Sequence, residues 1–204
     1  MSAAAKPPAA ARRGRLIVMS GPSGSGKTTI KERLRRHPDV RVAITATTRA
    51  PRAGEVNGRD YHFLSRDEFL RRKAAGEFAE TNDVFGSGHL YGSLRKDIDA
   101  ALAEPGRVLL IEVDVTGAHN LRAAGYEGTY IFIAPPSMEQ LESRLRARGT
   151  EASEAIESRL QRARHEMAEE SRVHDSHVVV NTDLEQAVRE VFRLAGLQDI
   201  PART

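Results

Sequence analysis

The chain has 204 residues, 40% of them hydrophobic and 29% charged, with a formal net charge of +3, which suits one globular domain able to bury its own core. It contains no cysteine, so disulfides and thiolate metal sites are excluded and a reducing cytoplasm is the expected setting. No apolar run approaches the roughly 18 residues of a membrane span, and with only 5% aromatic residues the basic, aromatic face of a nucleic-acid binder is not expected.

Residues 1–14 are rich in alanine and proline, basic and without hydrophobic pattern, which predicts a disordered tail. Arg15–Ser20 is a short continuous apolar run, the mark of a buried parallel strand. Gly21-Pro22-Ser23-Gly24-Ser25-Gly26-Lys27-Thr28 follows at once, and Lys27 to about His37 reads as a helix stopped by Pro38. Strand, loop and helix are the context that a G-x-x-x-x-G-K-[ST] phosphate loop requires. Glycines at 21, 24 and 26 let backbone amides turn inward as an anion nest at a helix N-terminus. Lys27 reaches the β and γ phosphates as a point charge, and the Thr28 hydroxyl can hold Mg²⁺. With Pro22, Ser23, Ser25 and Thr29 these residues form the expected ATP site. The loop alone names no acceptor.

Residues 41–93 depart from that rhythm. Short segments (Arg41–Thr48, Tyr61–Leu64, Phe78–Thr81) and one helix capped by Ser65-x-x-Glu68 predict a small inserted α+β subdomain. Arg49 and Arg52, stiffened by Pro51 between them, present two planar donors to one anion, and the Tyr61 and Tyr91 hydroxyls add to them. Further on, Arg107–Asp114, Thr129–Ala134 and His177–Asn181 read as buried strands. Ser137-x-x-Gln140 and Thr182-x-x-Glu185 have capping-box spacing, and Gly106 and Gly149 stand where helices end. Strands alternating with helices predict an α/β fold with a central parallel sheet covered on both faces. Residues 141–171 form a charged helical stretch, and seven arginines fall between Arg144 and Arg172.

Several of these segments together resemble the guanylate kinase family: GPSGSGKTT (21–29), TTRAPRAGEVNGRDYHF (47–63) with its Glu55, Tyr91-Gly92-Ser93, Ile111-Glu112-Val113-Asp114, IAPPS (133–137), the run from Arg144 to Glu151, and Val180-Asn181. The likeness runs in order over about residues 15–195. It implies a phosphate-loop core around a five-stranded parallel sheet (15–40, 94–140, 172–196), a nucleoside-monophosphate-binding insert (41–93) and a mobile helical lid (about 141–171). The implied reaction is ATP-dependent, Mg²⁺-assisted phosphorylation of GMP, in purine nucleotide metabolism.

By that resemblance Arg49, Arg52, Tyr61 and Tyr91 hold the GMP phosphate, in a loop that includes Glu55. Glu80 and Asp114 meet the N1–H and N2–H₂ donor edge of guanine, and hydroxyls of Ser93 and Thr45 serve O6 or its neighbours. Adenine offers a lone pair at N1, so facing carboxylates disfavour it. Lys27, Arg144, Arg148 and Arg159 surround the transferring phosphoryl group, and Asn181 approaches the adenine. Glu112 and Asp114 end a strand in the manner of Mg²⁺-binding acids, which leaves Asp114 a contact of guanine or of the metal. Thr45 stands where the family commonly has serine, Glu112 where some members have aspartate, and Asn82–Leu90 is about two residues longer than the compact version. The acceptor phosphate is mostly dianionic at pH 7, so no general base is needed. A phosphopeptide-binding module of the same fold, or a kinase for another nucleotide, are the alternatives; a GTPase switch lacks its Asn-Lys-x-Asp motif. The expected protein is cytoplasmic, a monomer or small homo-oligomer, without nucleic-acid or membrane partners.

Overall fold

The computed structural model describes residues 14–83, 88–147 and 153–198, so residues 1–13 of the tail expected over 1–14, Arg148 and Gly149 lie outside the described residues. Gly14 already belongs to the fold, its N–H donating to the Leu102 carbonyl at 2.9 Å. The first apolar run is β1 (Arg15–Ser20), followed by the loop and α1 (Lys27–Arg35). Then come β2 (Val40–Val42), β3 (Ala46–Thr47), β4 (His62–Phe63), α2 (Arg66–Ala74), β5 (Phe78–Asp83), β6 (Leu90–Leu94) and α3 (Arg95–Ala103). The remaining elements are β7 (Val108–Glu112), α4 (Val115–Ala123), β8 (Thr129–Ala134), α5 (Met138–Ala147), α6 (Ser153–Glu170), β9 (Ser176–Val180) and α7 (Leu184–Leu194).

Five strands pair in the order β2-β7-β1-β8-β9, all parallel. β1 sits at the centre, between β7 and β8, where the strand order reverses, and ligands of such sheets bind beyond the strand C-termini at that switch. Alternate side chains of β1 enter two cores, as the two-residue period of a strand dictates. Ile17 and Met19 pack with Ile30 and Leu34 of α1 and Val188, Val191 and Phe192 of α7. Leu16 and Val18 pack with Ile98 of α3 and Leu121 of α4. The result is the expected three-layer α/β arrangement.

A second sheet runs β4-β3-β6-β5, with one parallel and two antiparallel pairings. Its own small core stacks Phe69 on Phe78, ring centroids 4.5 Å apart, beside Ala46 and Leu90. A Cβ on Gly92 would stand 2.8 Å from the Phe78 ring, so the middle residue of Tyr91-Gly92-Ser93 lies flat beneath those aromatics. The α5 and α6 helices share a separate apolar cluster, from Leu141 and Leu145 to Ile156, Leu160 and Ala163. Among the described residues no helix is long and apolar enough to cross a membrane.

Three sequence expectations change in detail. The segment predicted over Arg41–Thr48 splits: β2 joins the large sheet beside β7 and β3 begins the small one, because three residues suffice to continue a parallel edge before the chain turns away. The predicted strand end at Asp114 is instead the N-cap of α4, its carboxylate accepting from Gly117 N–H at 2.7 Å. The cap of α7 is Asp183, not Thr182, and accepts from Gln186 N–H at 2.8 Å. Asp183 supplies the side-chain acceptor for a helix-start amide one residue further on. Ser65 and Ser137 cap as expected, accepting from Glu68 and Gln140 amides at 3.2 Å.

Candidate active site

The phosphate loop connects β1 to α1 and opens into a cleft of about 370 Å³. One side of the cleft is Gly21, Ser23, Gly24, Gly26, Lys27, Thr28 and Thr29, and the other is Thr45, Arg52, Tyr61, Glu80 and Tyr91 of the small sheet and its loops. Glu112, Val113 and Asp114 at the end of β7 form the floor, and Arg159, Arg162 and Glu166 of α6 reach in from above. Residues from both groups, those predicted to hold the donor and those predicted to hold the acceptor, thus line a single space.

Lys27 is the cation of the loop side. Its ammonium donates to the carbonyls of Gly21 and, at 2.9 Å, Pro22. Burial pulls its pKa down, while Glu112, Glu166 and Asp114 oppose that shift. Glu112 is in turn paired with Lys31 at 2.7 Å, one helical turn beyond Lys27.

On the opposite side, Glu80 is 6% exposed and accepts from the Ser93 hydroxyl at 2.7 Å. Burial pushes its carboxyl up to about 7, partly countered by the Ser93 bond and reinforced by the nearby charge of Asp114. A Cβ on Gly117 would stand 3.4 Å from the second Glu80 oxygen, so the first turn of α4 approaches that carboxyl closely. Both Asp114 oxygens have protein partners: Gly117 N–H on one and the Asn82 side-chain amide, at 2.5 Å, on the other.

The arginine pair divides. Arg52 lines the cleft. Arg49 does not: it donates to Glu55 at 2.9 Å and to the Ala50 carbonyl at 2.7 Å, and its guanidinium lies 5.5 Å from the Tyr61 ring centroid. The Glu55 bond, with help from the Tyr91 hydroxyl, raises the Arg49 pKa, and the Arg49 bond lowers that of Glu55. The other Glu55 oxygen accepts from Arg52 N–H at 2.7 Å. Glu55 therefore holds the arginine loop from within. Tyr61 is pushed up to about 12, chiefly by burial, so its hydroxyl remains a proton donor, set edge-on to Tyr91 with centroids 6.2 Å apart.

Of the arginines read as lid residues, Arg159 lines the cleft and donates to the Ser23 hydroxyl at 3.2 Å. Arg144 instead donates to the Asn181 carbonyl at 2.9 Å, and Arg148 is not among the described residues. Asn181 is 5% exposed and its amide donates to the Ser25 carbonyl at 2.7 Å.

Sequence reasoning missed Asn82, Gly117, Arg162 and Glu166. Glu166 is 5% exposed, and burial pushes its carboxyl up to about 7 although Lys27 and Arg162 pull the other way. The signal for Gly117 was present, since a glycine within a helix costs about 1 kcal/mol and usually has a packing reason.

A family model described as guanylate kinase matches residues 13–195. A guanylate kinase of Bifidobacterium longum is 48% identical over 88% of this chain and 92% of its own length. One of Corynebacterium jeikeium is 44% identical over 89% of this chain and 95% of its own. The crystal structure of guanylate kinase from Anaplasma phagocytophilum superposes with a TM-score of 0.71 at 30% identity, covering 94% of this chain and 89% of that one.

Proposed function

The chain belongs to the guanylate kinase family, and on that premise we propose how its residues transfer the γ-phosphoryl group of ATP to GMP. It is an ATP-dependent kinase of GMP, and the observation that supports this division of labour is the single cleft shared by the phosphate loop and by Arg52, Tyr61, Glu80 and Tyr91.

The loop amides and Lys27 take the triphosphate. Arg52, with the hydroxyls of Tyr61 and Tyr91, takes the GMP phosphate; Arg49 and Glu55 act behind them by fixing the loop. Glu80 accepts from the guanine N1–H and N2–H₂ edge, Ser93 orients Glu80, and Thr45 offers a hydroxyl nearby. Asp114 acts chiefly through position, as the cap of α4 and the partner of Asn82, which leaves the role toward guanine mainly to Glu80. An oxygen of the GMP phosphate attacks the γ phosphorus, the bond from that phosphorus to the β–γ bridging oxygen breaks, and ADP leaves. No proton need move first, so catalysis rests on holding two polyanions in line and neutralising them. Arg159 and Arg162 add positive charge from α6.

Mg²⁺ fits this donor set. Among the described residues no group of three acids or histidines could cage a metal, whereas Thr28 lines the cleft, the arrangement expected when phosphates supply most of the oxygens. Bound there, Mg²⁺ would neutralise charge on the β and γ phosphates. The small-sheet region from β3 to β6 serves as the GMP-binding insert, the α5–α6 pair as the lid, and the cytoplasm as the place of action.

Arg52→Ala tests the division. GMP affinity should fall roughly 10-fold or more, the worth of a charge-assisted contact of about 1.5–3 kcal/mol, with ADP affinity within about twofold of wild type by calorimetry. Loss of ADP binding with GMP binding intact would reverse the two halves.

A further inference from the structure

Asn181 follows β9 directly, its backbone N–H donating to the Ala134 carbonyl at 2.9 Å, and two further hydrogen bonds tie it to other elements. Its carbonyl accepts from Arg144 of α5 at 2.9 Å, and its side-chain amide donates to the Ser25 carbonyl at 2.7 Å in a buried setting. The second bond has a stereochemical consequence. No cis peptide occurs among the described residues, and in a trans peptide the carbonyl and the following N–H point in opposite directions. Holding the Ser25 carbonyl toward Asn181 therefore turns the Gly26 N–H the other way.

The surroundings agree. Gly26 has a left-handed φ of +101°, and a Cβ there would lie 2.2 Å from the Asn181 amide nitrogen, so a side chain at 26 would be strained and would displace the asparagine. The Gly26 backbone lies against Asn181 on one side and lines the cleft on the other. α5 also reaches the loop independently: a Cβ on Gly24 would stand 2.9 and 3.1 Å from the Leu141 and Leu145 side chains.

We propose that Asn181 is a positioning residue for phosphoryl transfer, setting the Ser25–Gly26 peptide so that the Gly26 amide faces the phosphates and tying that peptide to α5 through Arg144. This differs from a contact with adenine: it rests on the bond to the Ser25 carbonyl, and Asn181 is not among the residues that line the cleft. The inference rests on the reading of the loop as the ATP site. It also makes α5 and the loop one mechanical unit, so that a displacement of α5 is felt at the phosphate-binding amides.

The test compares wild type, Asn181→Asp and Asn181→Ala by calorimetric titration with ADP and with GMP at pH 8, where an aspartate offers only acceptors. Asn181→Asp should lose ADP affinity roughly 10-fold or more, since it sets a carboxylate against the Ser25 carbonyl and leaves both unpaired. Asn181→Ala should lose less, because it removes the bond without repulsion, and GMP affinity should stay within about twofold in both. A residue that merely filled space would give the opposite order, with the isosteric aspartate the milder change, and that order would overturn the proposal. Should the variants fail to fold, ¹⁵N-labelled wild type carries the test: the Gly26 amide resonance should move on adding ADP, and an unmoved resonance would overturn the proposal. Absence of ADP binding by wild type would instead sink the ATP assignment of the loop.

Discussion

Replacing Lys27 by alanine is expected to lower kcat roughly 100- to 1,000-fold, the usual worth of one preorganised charge at a site where negative charge develops. The expectation rests on what surrounds the ammonium as much as on the loop motif. Glu112, Glu166 and Asp114 all act on Lys27 through its charge, and all three line the same cleft. Without the lysine, an incoming triphosphate meets those carboxyls with the main counter-charge gone. Steady-state kinetics with saturating GMP read the loss, and calorimetry should find GMP affinity within about twofold of wild type. An unchanged kcat would remove Lys27 from the chemistry.

Glu80→Gln should lower kcat/KM for GMP by about 100- to 1,000-fold, from two mismatched buried contacts at roughly 1–3 kcal/mol each. The amide can accept from guanine through its oxygen, but it cannot present two acceptors to N1–H and N2–H₂ while also receiving Ser93. The raised carboxyl adds a pH signature. At about 7 in the free protein, Glu80 is largely protonated at pH 6 and ionised at pH 8, and only the ionised form accepts from both guanine donors. GMP affinity should therefore climb as pH rises through about 7, and Glu80→Gln should flatten the part of that climb that the GMP phosphate does not supply. A wild-type slope retained in the variant would assign the titration elsewhere.

The same shift has a consequence for folding. A carboxyl whose pKa is raised in the folded chain binds its proton more tightly there than in the unfolded chain. The stability this contributes is complete below the ordinary value of 4.5 and is lost as pH rises through about 7. Glu80 and Glu166 both act in this direction, so the region that recognises substrate is held at some expense of stability near neutrality.

Local pattern carried most of the fold. β1, β7 and β8 were visible as apolar runs because parallel strands inside a sheet are buried on both faces, and the loop was visible because its glycines and lysine are contiguous. β9 was visible as a run of valines but is no buried strand, since it forms the sheet edge with Val178 and Val180 exposed. β2 was not: Val40–Val42 is too short to show a period, and only its partner β7 identifies it as the edge of the large sheet. Local motifs account for cleft-lining residues such as those of the loop, Arg52, Tyr91 and Gly92. The site was illegible where contacts span the chain. Nothing near Asn82 signals that its amide binds Asp114, 32 positions away, and nothing near Glu166 signals that Lys27 lies opposite. Asn181 was visible as a strand-end residue, but its partner Ser25 is 156 positions distant, so its orientation toward the loop backbone appears only in three dimensions. Glu55 was read with the acceptor site from its motif, and the fold gives it the task of bracing Arg49 and the Arg52 backbone.

The most direct test of a guanine-selective phosphotransferase is a coupled ADP-release assay with ATP and Mg²⁺, run in parallel with GMP, dGMP, AMP, UMP and CMP. The buried carboxyl of Glu80 beside Ser93 predicts turnover of GMP and dGMP, with kcat/KM for AMP lower by roughly 100-fold or more because its N1 lone pair opposes a carboxylate. Equal turnover of AMP and GMP would contradict the account.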